Sequence, residues 1–204
     1  MSGIGLDATT QGGAPTTGQL AVDQQRNQML ATIAKALSVF ASGGTITGNL
    51  TVTGTFTPNS IKGIVGTITN DNAQAGSVGE FISSTVLLGS AVSLSTTVAA
   101  NITSIALSSG DWDVHGNIAL APGGGATATL LKGWTSTVSA TNPTDPNNGA
   151  DFVLQGNFTA TQVMSVGIQR ISIAAPTTIY LSALANFSGG SLSAFGFIGA
   201  RRVR

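Results

Sequence analysis

Cysteine is absent from the 204 residues of this chain, which also contain a single histidine and a single tyrosine. Without cysteine there is no disulfide, no thiolate metal ligand and no cysteine nucleophile. One histidine is too few for a histidine-based zinc site. No apolar run reaches the about 18 residues of a membrane-spanning helix, and the start of the chain lacks the basic start and apolar core of a signal peptide. These absences favour a protein assembled in a reducing cytoplasm, without cofactor or membrane insertion.

Charge is equally sparse. Asp, Glu, Lys and Arg make up 8% of the chain and the formal net charge is zero, whereas about 25% charged residues are usual in soluble domains. Disorder normally accompanies low hydrophobicity and high net charge, but here 42% of the residues are hydrophobic. Too few cations are present for a nucleic-acid-binding surface. Because surfaces with little net charge tend to associate, the composition indicates an obligate oligomer.

The first 42 residues read as an attachment segment. Residues 1–18 are rich in Gly, Thr and Ala and predict an extended arm, and residues 19–41 contain neither Gly nor Pro and predict a helix. Apolar residues recur on that helix at coiled-coil spacing, which predicts the seam of a trimer. The seam residues are Val22, Met29, Ile33, Ala36 and Phe40. An amphipathic helix packed on its own domain is the alternative.

Residues 45–57 alternate between apolar or glycine positions and Thr or Asn. Period-two alternation is typical of a strand with one buried face, and glycines on that face often mark close approach by another backbone. We therefore expect residues 43–61 to form a short neck in which three copies intertwine; a single exposed hairpin strand is the alternative. The predicted neck core consists of Ile46, Leu50, Val52 and Phe56.

Residues 62–204 predict one antiparallel β-sandwich, most simply a jelly roll, because short apolar segments alternate with Gly, Asn and Pro clusters. The ten candidate strands are 64–69, 81–88, 92–94, 102–107, 112–120, 126–134, 152–158, 163–172, 178–185 and 193–203.

Two segments resemble proteins of tailed bacteriophages. The sequence Gly-Thr-Ile-Thr-Gly-Asn-Leu-Thr-Val-Thr-Gly-Thr-Phe at 44–56 resembles shaft repeats of trimeric fibres. The second is a series of motifs: Leu-Ser-Ser-Gly-Asp-Trp-Asp-Val-His-Gly-Asn at 107–117, Gly-Trp-Thr-Ser at 133–136, Ile-Tyr-Leu-Ser-Ala-Leu-Ala-Asn-Phe-Ser at 179–188 and Gly-Ala-Arg-Arg-Val-Arg at 199–204. It is similar to C-terminal fibre knobs, which are trimeric sandwiches loosely like tumour-necrosis-factor domains.

The resemblance implies a non-enzymatic virion protein, a short homotrimeric tail fibre. Residues 1–42 would attach it to other capsid or tail proteins, and the knob would bind the host surface through a glycan. A head fibre or capsid decoration protein is an alternative, and a polysaccharide-degrading fibre enzyme is a second.

Few residues of the predicted knob could carry chemistry. Alternation places Asp111, Asp113 and His115 on one face of a strand, where a metal or proton site and a plain solvent-facing edge are both open. The two carboxylates alone lack the supporting residues of a glycosidase. Arg201, Arg202 and Arg204 are expected to pair with acids of a neighbouring subunit. Candidate glycan contacts are Trp112, Trp134 and Tyr180, although a core position is favoured for both tryptophans.

Overall fold

The computed structural model describes residues 17–41, 47–55, 57, 66, 68–145 and 149–204. The chain divides into two units, Met1–Thr67 and Ile68–Arg204. The sequence predicted the start of the knob at residue 62, six residues before this division. The three-part division into attachment segment, neck and knob stays a prediction.

The first unit contains one helix, α1, at Thr17–Ala41. It covers the predicted segment 19–41 and begins two residues earlier. Of the side chains described between residues 18 and 35, only that of Asp23 is half-buried, and the others are exposed. Asp23 forms an ion pair with Arg26 at 3.1 Å, one turn further along the helix. The apolar residues of α1 that are described, up to residue 35, are therefore open to solvent in the single chain.

Residues 47–55 and 57 form no strand within one chain. Gly48 has a φ of 116°, which lies outside the extended region of a strand. An intertwined neck would take its hydrogen bonds from other copies, so the predicted neck strand stays a prediction. A Cβ added at Gly48 or Gly54 would meet no atom within 4 Å.

The second unit contains nine strands among its described residues. Nine of the ten predicted segments correspond to them, with ends that differ by a few residues. The prediction of a strand at 64–69 is wrong for residues 66, 68 and 69; residues 64, 65 and 67 lie outside the described part. The strands are β1 (Phe81–Val86), β2 (Val92–Leu94), β3 (Ala100–Leu107), β4 (Gly110–Gly123), β5 (Thr127–Ser136), β6 (Asp151–Phe158), β7 (Gln162–Ile173), β8 (Thr177–Ser188) and β9 (Ser191–Arg202).

The nine strands form two antiparallel sheets. The first sheet has the order β1-β9-β4-β7, with β2 also paired to β9, and the second has the order β3-β8-β5-β6. Successive strands pass from one sheet to the other, except at β1–β2 and at the β5–β6 connection. This interleaved order, in which the first and last strands are neighbours, is that of a jelly roll. The predicted jelly-roll sandwich is confirmed by this strand order.

The core lies between the inner faces of the two sheets, where alternate residues of each strand are buried. Trp112 and Val114 of β4, both 0% exposed, face Leu181 and Ala183 of β8, which are also fully buried. Residues between them on β4 point to the opposite face. That opposite, outer face of the first sheet is therefore set by the same alternation that builds the core.

Candidate functional site

The outer face of the first sheet carries an unusual set of side chains for a surface. Antiparallel sheets with one solvated face normally place polar residues there. Cross-strand register arranges this face in rows that cross β9, β4 and β7. The residues of this face that matter below are Phe81, Asp113, His115, Asn117, Ala119, Val163, Ser165, Ile168, Arg170, Phe195, Phe197, Gly199 and Arg201.

Three rings form an aromatic cluster near the middle of the outer face. The Phe81 ring centroid lies 6.1 Å from that of His115 and 6.4 Å from that of Phe197, with the rings within 26° of parallel. His115 and Phe197 are 5.9 Å apart. Gly199 makes this arrangement possible, because a Cβ there would lie 2.8 Å from the Cζ atoms of both Phe81 and Phe197. The rings thus occupy the space above a glycine on the central strand β9.

Further apolar side chains extend the cluster towards the sheet edge. Phe195 of β9 and Val163 of β7 flank Ala119 of β4 in one row. Ile168 lies at a bulge of β7, opposite His115, where the register shifts between Val114 and Gly116. Val163 is 70% exposed and Ile168 is 75% exposed. One part of the outer face therefore presents apolar side chains directly to solvent.

Polar groups lie beside and between the apolar side chains, because the row of Asn117 separates the row of Ala119 from that of His115. Arg170 Nε donates to Asp113 Oδ1 at 2.9 Å, and this bond raises the pKa of the Arg170 guanidinium. The Ser165 hydroxyl donates to Asn117 Oδ1 at 2.6 Å. Arg201 is exposed and has no ion pair within the described part of the chain. The outer face thus carries apolar side chains together with polar side chains of both charge signs.

A second polar group, the Arg202 cluster, lies at the start of β4 and consists of Glu80, Ser108, Ser109, Trp112 and Arg202. Arg202 Nε donates to Glu80 Oε2 at 2.9 Å, and Nη1 donates to the Ser109 carbonyl at 2.9 Å. The guanidinium carbon lies 4.3 Å from the centre of the Trp112 ring, whose Nε1 donates to the Ser108 carbonyl. Arg202 Nη2 donates to the Ser108 hydroxyl, so each guanidinium nitrogen has a partner, and the cluster joins the start of β1 to the end of β9.

Two carboxylates at this end of the sandwich are held in their charged form. The backbone N–H of Gly76 lowers the pKa of Glu80, and Arg202 lowers it further against the opposing effect of burial. Hydrogen bonds from Ser172 and then Arg204 lower the pKa of Asp111. A carboxylate fixed in its ionised form cannot act as a general acid near neutral pH. Both groups are therefore ionised near neutral pH and are paired with arginines of the same chain.

The predicted pairing of the C-terminal arginines with a neighbouring subunit is wrong for two of the three. Arg202 pairs with Glu80 and Arg204 pairs with Asp111, both within the same chain. The jelly roll brings β9 between β1 and β4, so acids distant in sequence become local partners. Of the two arginines on β9, Arg201 points to the outer face, because successive residues of a strand point to opposite faces and Arg202 points inward.

Two of the predicted glycan contacts are interior residues. Trp112 is 0% exposed and Trp134 is 1% exposed, so neither ring offers a face to a sugar in this chain. The indole N–H of Trp134 has no hydrogen-bond partner in the described part of the chain. Tyr180 lies on β8, beside Ser104 and Ser136, and is half-buried. The glycan contact stays a prediction, with Tyr180 as its accessible aromatic residue.

The predicted trimer contacts of the first unit are exposed where they are described. Val22, Met29 and Ile33 are 63%, 59% and 47% exposed. Leu50 and Val52 of the predicted neck core are 61% and 47% exposed. Ile46, Phe56 and the side chains of Ala36 and Phe40 lie outside the described residues.

The structure adds residues that the sequence analysis did not select. Phe81, Phe197, Val163 and Ile168 were assigned to strands without a role. The segment 193–203 contained a signal for an apolar outer face. Its apolar residues lie at both odd and even positions, as in a strand that is buried on both faces.

Chemistry on the same face is limited. Within the described part of the chain, no group of three or more His, Cys, Asp or Glu residues could hold a metal ion. His115, for which a metal site was one of two open interpretations, is surrounded by Phe81 and Phe197. Among the described residues, no helix is long and apolar enough to cross a membrane.

No protein-family model matches this chain, and no curated protein matches it. Among solved structures, it is similar to the infectious bursal disease virus VP2 subviral particle, with 16% identity and a TM-score of 0.41 over 68% of this chain and 37% of that one. The Gx strain of the same virus gives 16% identity and a TM-score of 0.40, with the same coverages. The chain therefore spans less than two fifths of the viral proteins it resembles. Assignment of the knob as a jelly roll rests on its own strand order, and no function is inferred from these proteins.

Proposed function

We propose that this chain is a non-enzymatic structural protein of a tailed-phage virion, a short homotrimeric fibre that carries a C-terminal jelly-roll knob. Residues 1–42 attach it to other capsid or tail proteins, and residues 43–61 form the intertwined neck. The knob binds the host surface, through a glycan. The fibre is assembled in the bacterial cytoplasm and functions on the virion.

One observation supports the trimer above all others. Apolar side chains of α1 recur at coiled-coil spacing and are about half exposed or more in the single chain. Most of the stability of a helix in a protein comes from the packing of its apolar face, and the described apolar side chains of this 25-residue helix are open to solvent. Association with identical helices would bury this stripe and stabilise the helix, because seam positions pack into the holes of their neighbours.

The second unit supports a structural role. Four ion pairs within the fold take up eight of its charged groups, and the pKa values of Glu80 and Asp111 are lowered. Host binding would then depend on avidity, because three weak sites on one trimer act at high effective concentration. Tyr180 is the aromatic residue best placed to contact a sugar ring.

Native mass and helix content test the trimer together. Light scattering of the full chain is expected to give three times the 20.3 kDa chain mass. Two glutamates in the seam, introduced by M29E and I33E, are expected to reduce the helical circular-dichroism signal, since they place charge where packing is needed. Asn27 and Ala31 lie on the opposite side of the helix, so N27E with A31E is the matched control. A monomeric mass for the unaltered chain, or an equal helical signal in both double variants, would overturn the proposal.

A glycan array probed with labelled full chain tests the adhesive role. Retention on at least one glycan is expected, with loss in Y180A and no loss in S104A, a neighbour of Tyr180 on β3. If no glycan retains the protein, the adhesive role is wrong while the trimer is unaffected.

A further inference from the structure

We propose that residues 137–143, which we call the strap, open to admit a sugar ring onto Trp134, which lies beneath them on the outer face of the second sheet. The inference rests on the glycan binding proposed above and names its site, because Trp134 and Tyr180 are neighbours on that face. The structure then shows the closed form of the site.

Trp134 points away from the core of the sandwich. A Cβ at the preceding Gly133 would lie 2.5 Å from Ile118 Cδ1 of the first sheet, so position 133 faces inward and position 134 faces outward. Trp134 is accordingly not part of the core cluster, yet it is only 1% exposed. A residue on the outer face of a two-sheet sandwich is buried only where another segment covers it.

The strap lies over this part of the second sheet. Cross-strand register places Trp134, Ser182 and Asn101 in one row across β5, β8 and β3. Ser182 is 0% exposed and donates to Asn101 Oδ1 at 2.8 Å. The same oxygen accepts from the Ala140 N–H at 2.7 Å, and Asn101 Nδ2 donates to Ser139 Oγ at 2.7 Å. The middle of the strap is therefore fixed to this row, across the buried Ser182.

Both ends of the strap lie against β5, close to the buried indole. At one end the Val138 N–H donates to Ser136 Oγ at 3.0 Å. At the other end, a Cβ at Gly149 would lie 2.9 Å from Pro143 Cγ and would meet the carbonyl of Thr135. Pro143 and Gly149 thus lie together beside the backbone next to the indole, and the strap covers it from both sides.

The closed strap buries two polar groups that have no hydrogen-bond partner in the described part of the chain. They are the indole N–H of Trp134, beneath the strap, and Oδ1 of Asn142, on the strap itself. Burial of such groups without a partner is unfavourable, and a buried indole N–H usually has one. The strap also holds Ala140 at a φ of 46°, a conformation that residues other than glycine seldom adopt. Opening would relieve these terms and release a donor and an acceptor to hydroxyl groups.

The residues around the indole favour a sugar as the ligand. Tyr180 pairs with Ser136, so it is the diagonal neighbour of Trp134 across β5 and β8, at about 7–8 Å. Tyr and Trp each combine an apolar ring with a polar tip. Ser136, Ser182 and Asn101 add hydroxyl and amide groups in the same two rows. With the strap open, this face would offer ring surfaces and hydrogen-bonding groups together, as the apolar faces and hydroxyls of a sugar require.

Because the native chain has no cysteine, an introduced thiol reports opening of the strap. Ser182 and Ala183 are both 0% exposed, but Ser182 lies beneath the strap and Ala183 lies in the core. In the full chain, maleimide should label S182C at least about 10-fold faster than A183C, because local opening exposes the first without unfolding the sandwich. A194C, at a second fully buried core position, controls for destabilisation by A183C. Equal labelling of S182C and both core variants would overturn the proposal.

A disulfide that holds the strap closed tests the sugar site. Asn101 and Ser139 are hydrogen-bonded at 2.7 Å, so N101C with S139C places two thiols side by side. Retention of this double variant on a glycan array should fall about 10-fold or more on oxidation, because the open form is then no longer populated, and should return on reduction. N117C with S165C is the matched control, since it replaces an Asn–Ser pair bonded at 2.6 Å on the first sheet. Its retention should be the same in both redox states.

The array also separates this inference from the proposed function. Retention that falls only in the oxidised strap variant supports both. Retention that is unchanged by oxidation of that variant overturns the opening of the strap and leaves glycan binding at Tyr180 intact. If no glycan retains the unaltered chain, the adhesive function is wrong and the sugar site on Trp134 is wrong with it.

Discussion

Arg202 connects three segments that are far apart in the sequence. Its side chain bonds to Glu80 before β1 and to Ser109 before β4, and it lies over the ring of Trp112. Glu80 and Arg202 are each 6% exposed. A buried ion pair is not strongly stabilising in itself, but removal of one partner leaves the other charge uncompensated.

We therefore expect R202M to lower the free energy of unfolding by about 3 kcal/mol or more. R201M is the matched control, because Arg201 is the neighbouring residue on β9 and is exposed. Urea unfolding followed by tryptophan fluorescence measures both variants. If R202M and R201M unfold at the same urea concentration, the Arg202 cluster does not stabilise the fold as described.

Stability should depend on pH at the acid end. The folded-state pKa values of Glu80 and Asp111 are lowered, so both groups bind fewer protons in the folded chain than in the unfolded one. Their stabilisation is fully present above the ordinary carboxyl pKa of about 4. It is lost as the pH falls below that value and through the folded-state pKa.

Urea midpoints at pH 7, 5, 4 and 3 would reveal this dependence. The midpoint should be nearly constant from pH 7 to 5 and then fall. In E80Q the fall below pH 4 should be shallower, because one of the titrating groups is gone. An E80Q profile parallel to that of the unaltered chain would exclude Glu80 as a source of acid sensitivity.

At the scale of single elements, β5 shows how closely the two sheets are packed. Gly133 is paired with Ala183 of β8 and Phe152 of β6. A Cβ at this position would lie 2.5 Å from Ile118 Cδ1 and 2.6 Å from Phe152 Cε1. Real Cβ atoms do not approach other atoms so closely, so the neighbouring side chains would have to move.

We expect G133A to destabilise the knob by about 1–3 kcal/mol through overpacking. At Gly167 of β7 the nearest atom to an added Cβ is 3.9 Å away, so G167A is a control at an ordinary contact distance. Thermal unfolding of both variants is the measurement. A midpoint for G133A equal to that of G167A would show that the core has room that the structure does not indicate.

At the scale of the whole molecule, the described core of the knob is built from residues of the second unit. The buried hydrophobic residues and those packed against them all lie between Ile82 and Ala200. The first and last strands of the chain, β1 and β9, also pair with each other within the second unit.

A chain without residues 1–67 is therefore expected to keep the thermal midpoint of β-sheet unfolding to within a few degrees. Circular dichroism at a wavelength for β structure would follow it. Failure of the truncated chain to fold would mean that the first unit contributes to the knob. A truncated chain that still has the mass of three copies would place part of the trimer stability in the knob.

Local patterns in the sequence determined which segments form regular structure. The absence of Gly and Pro from 19–41 predicted α1, and turn residues between short apolar segments predicted nearly every strand of the knob. Period-two alternation also predicted that Trp112 and His115 lie on opposite faces of the same strand. These features depend on neighbours within a few residues, and for that reason they can be read without the fold.

Tertiary structure alone decided which distant residues meet. The jelly roll places β9 between β1 and β4, so Arg202 finds Glu80 and Arg204 finds Asp111 within the same chain. The same order gathers Phe81, His115 and Phe197 from three strands into one cluster. Strand order is fixed by long-range packing and carries no local signature, so neither the intrachain pairing of the arginines nor the apolar outer face could be predicted from the sequence.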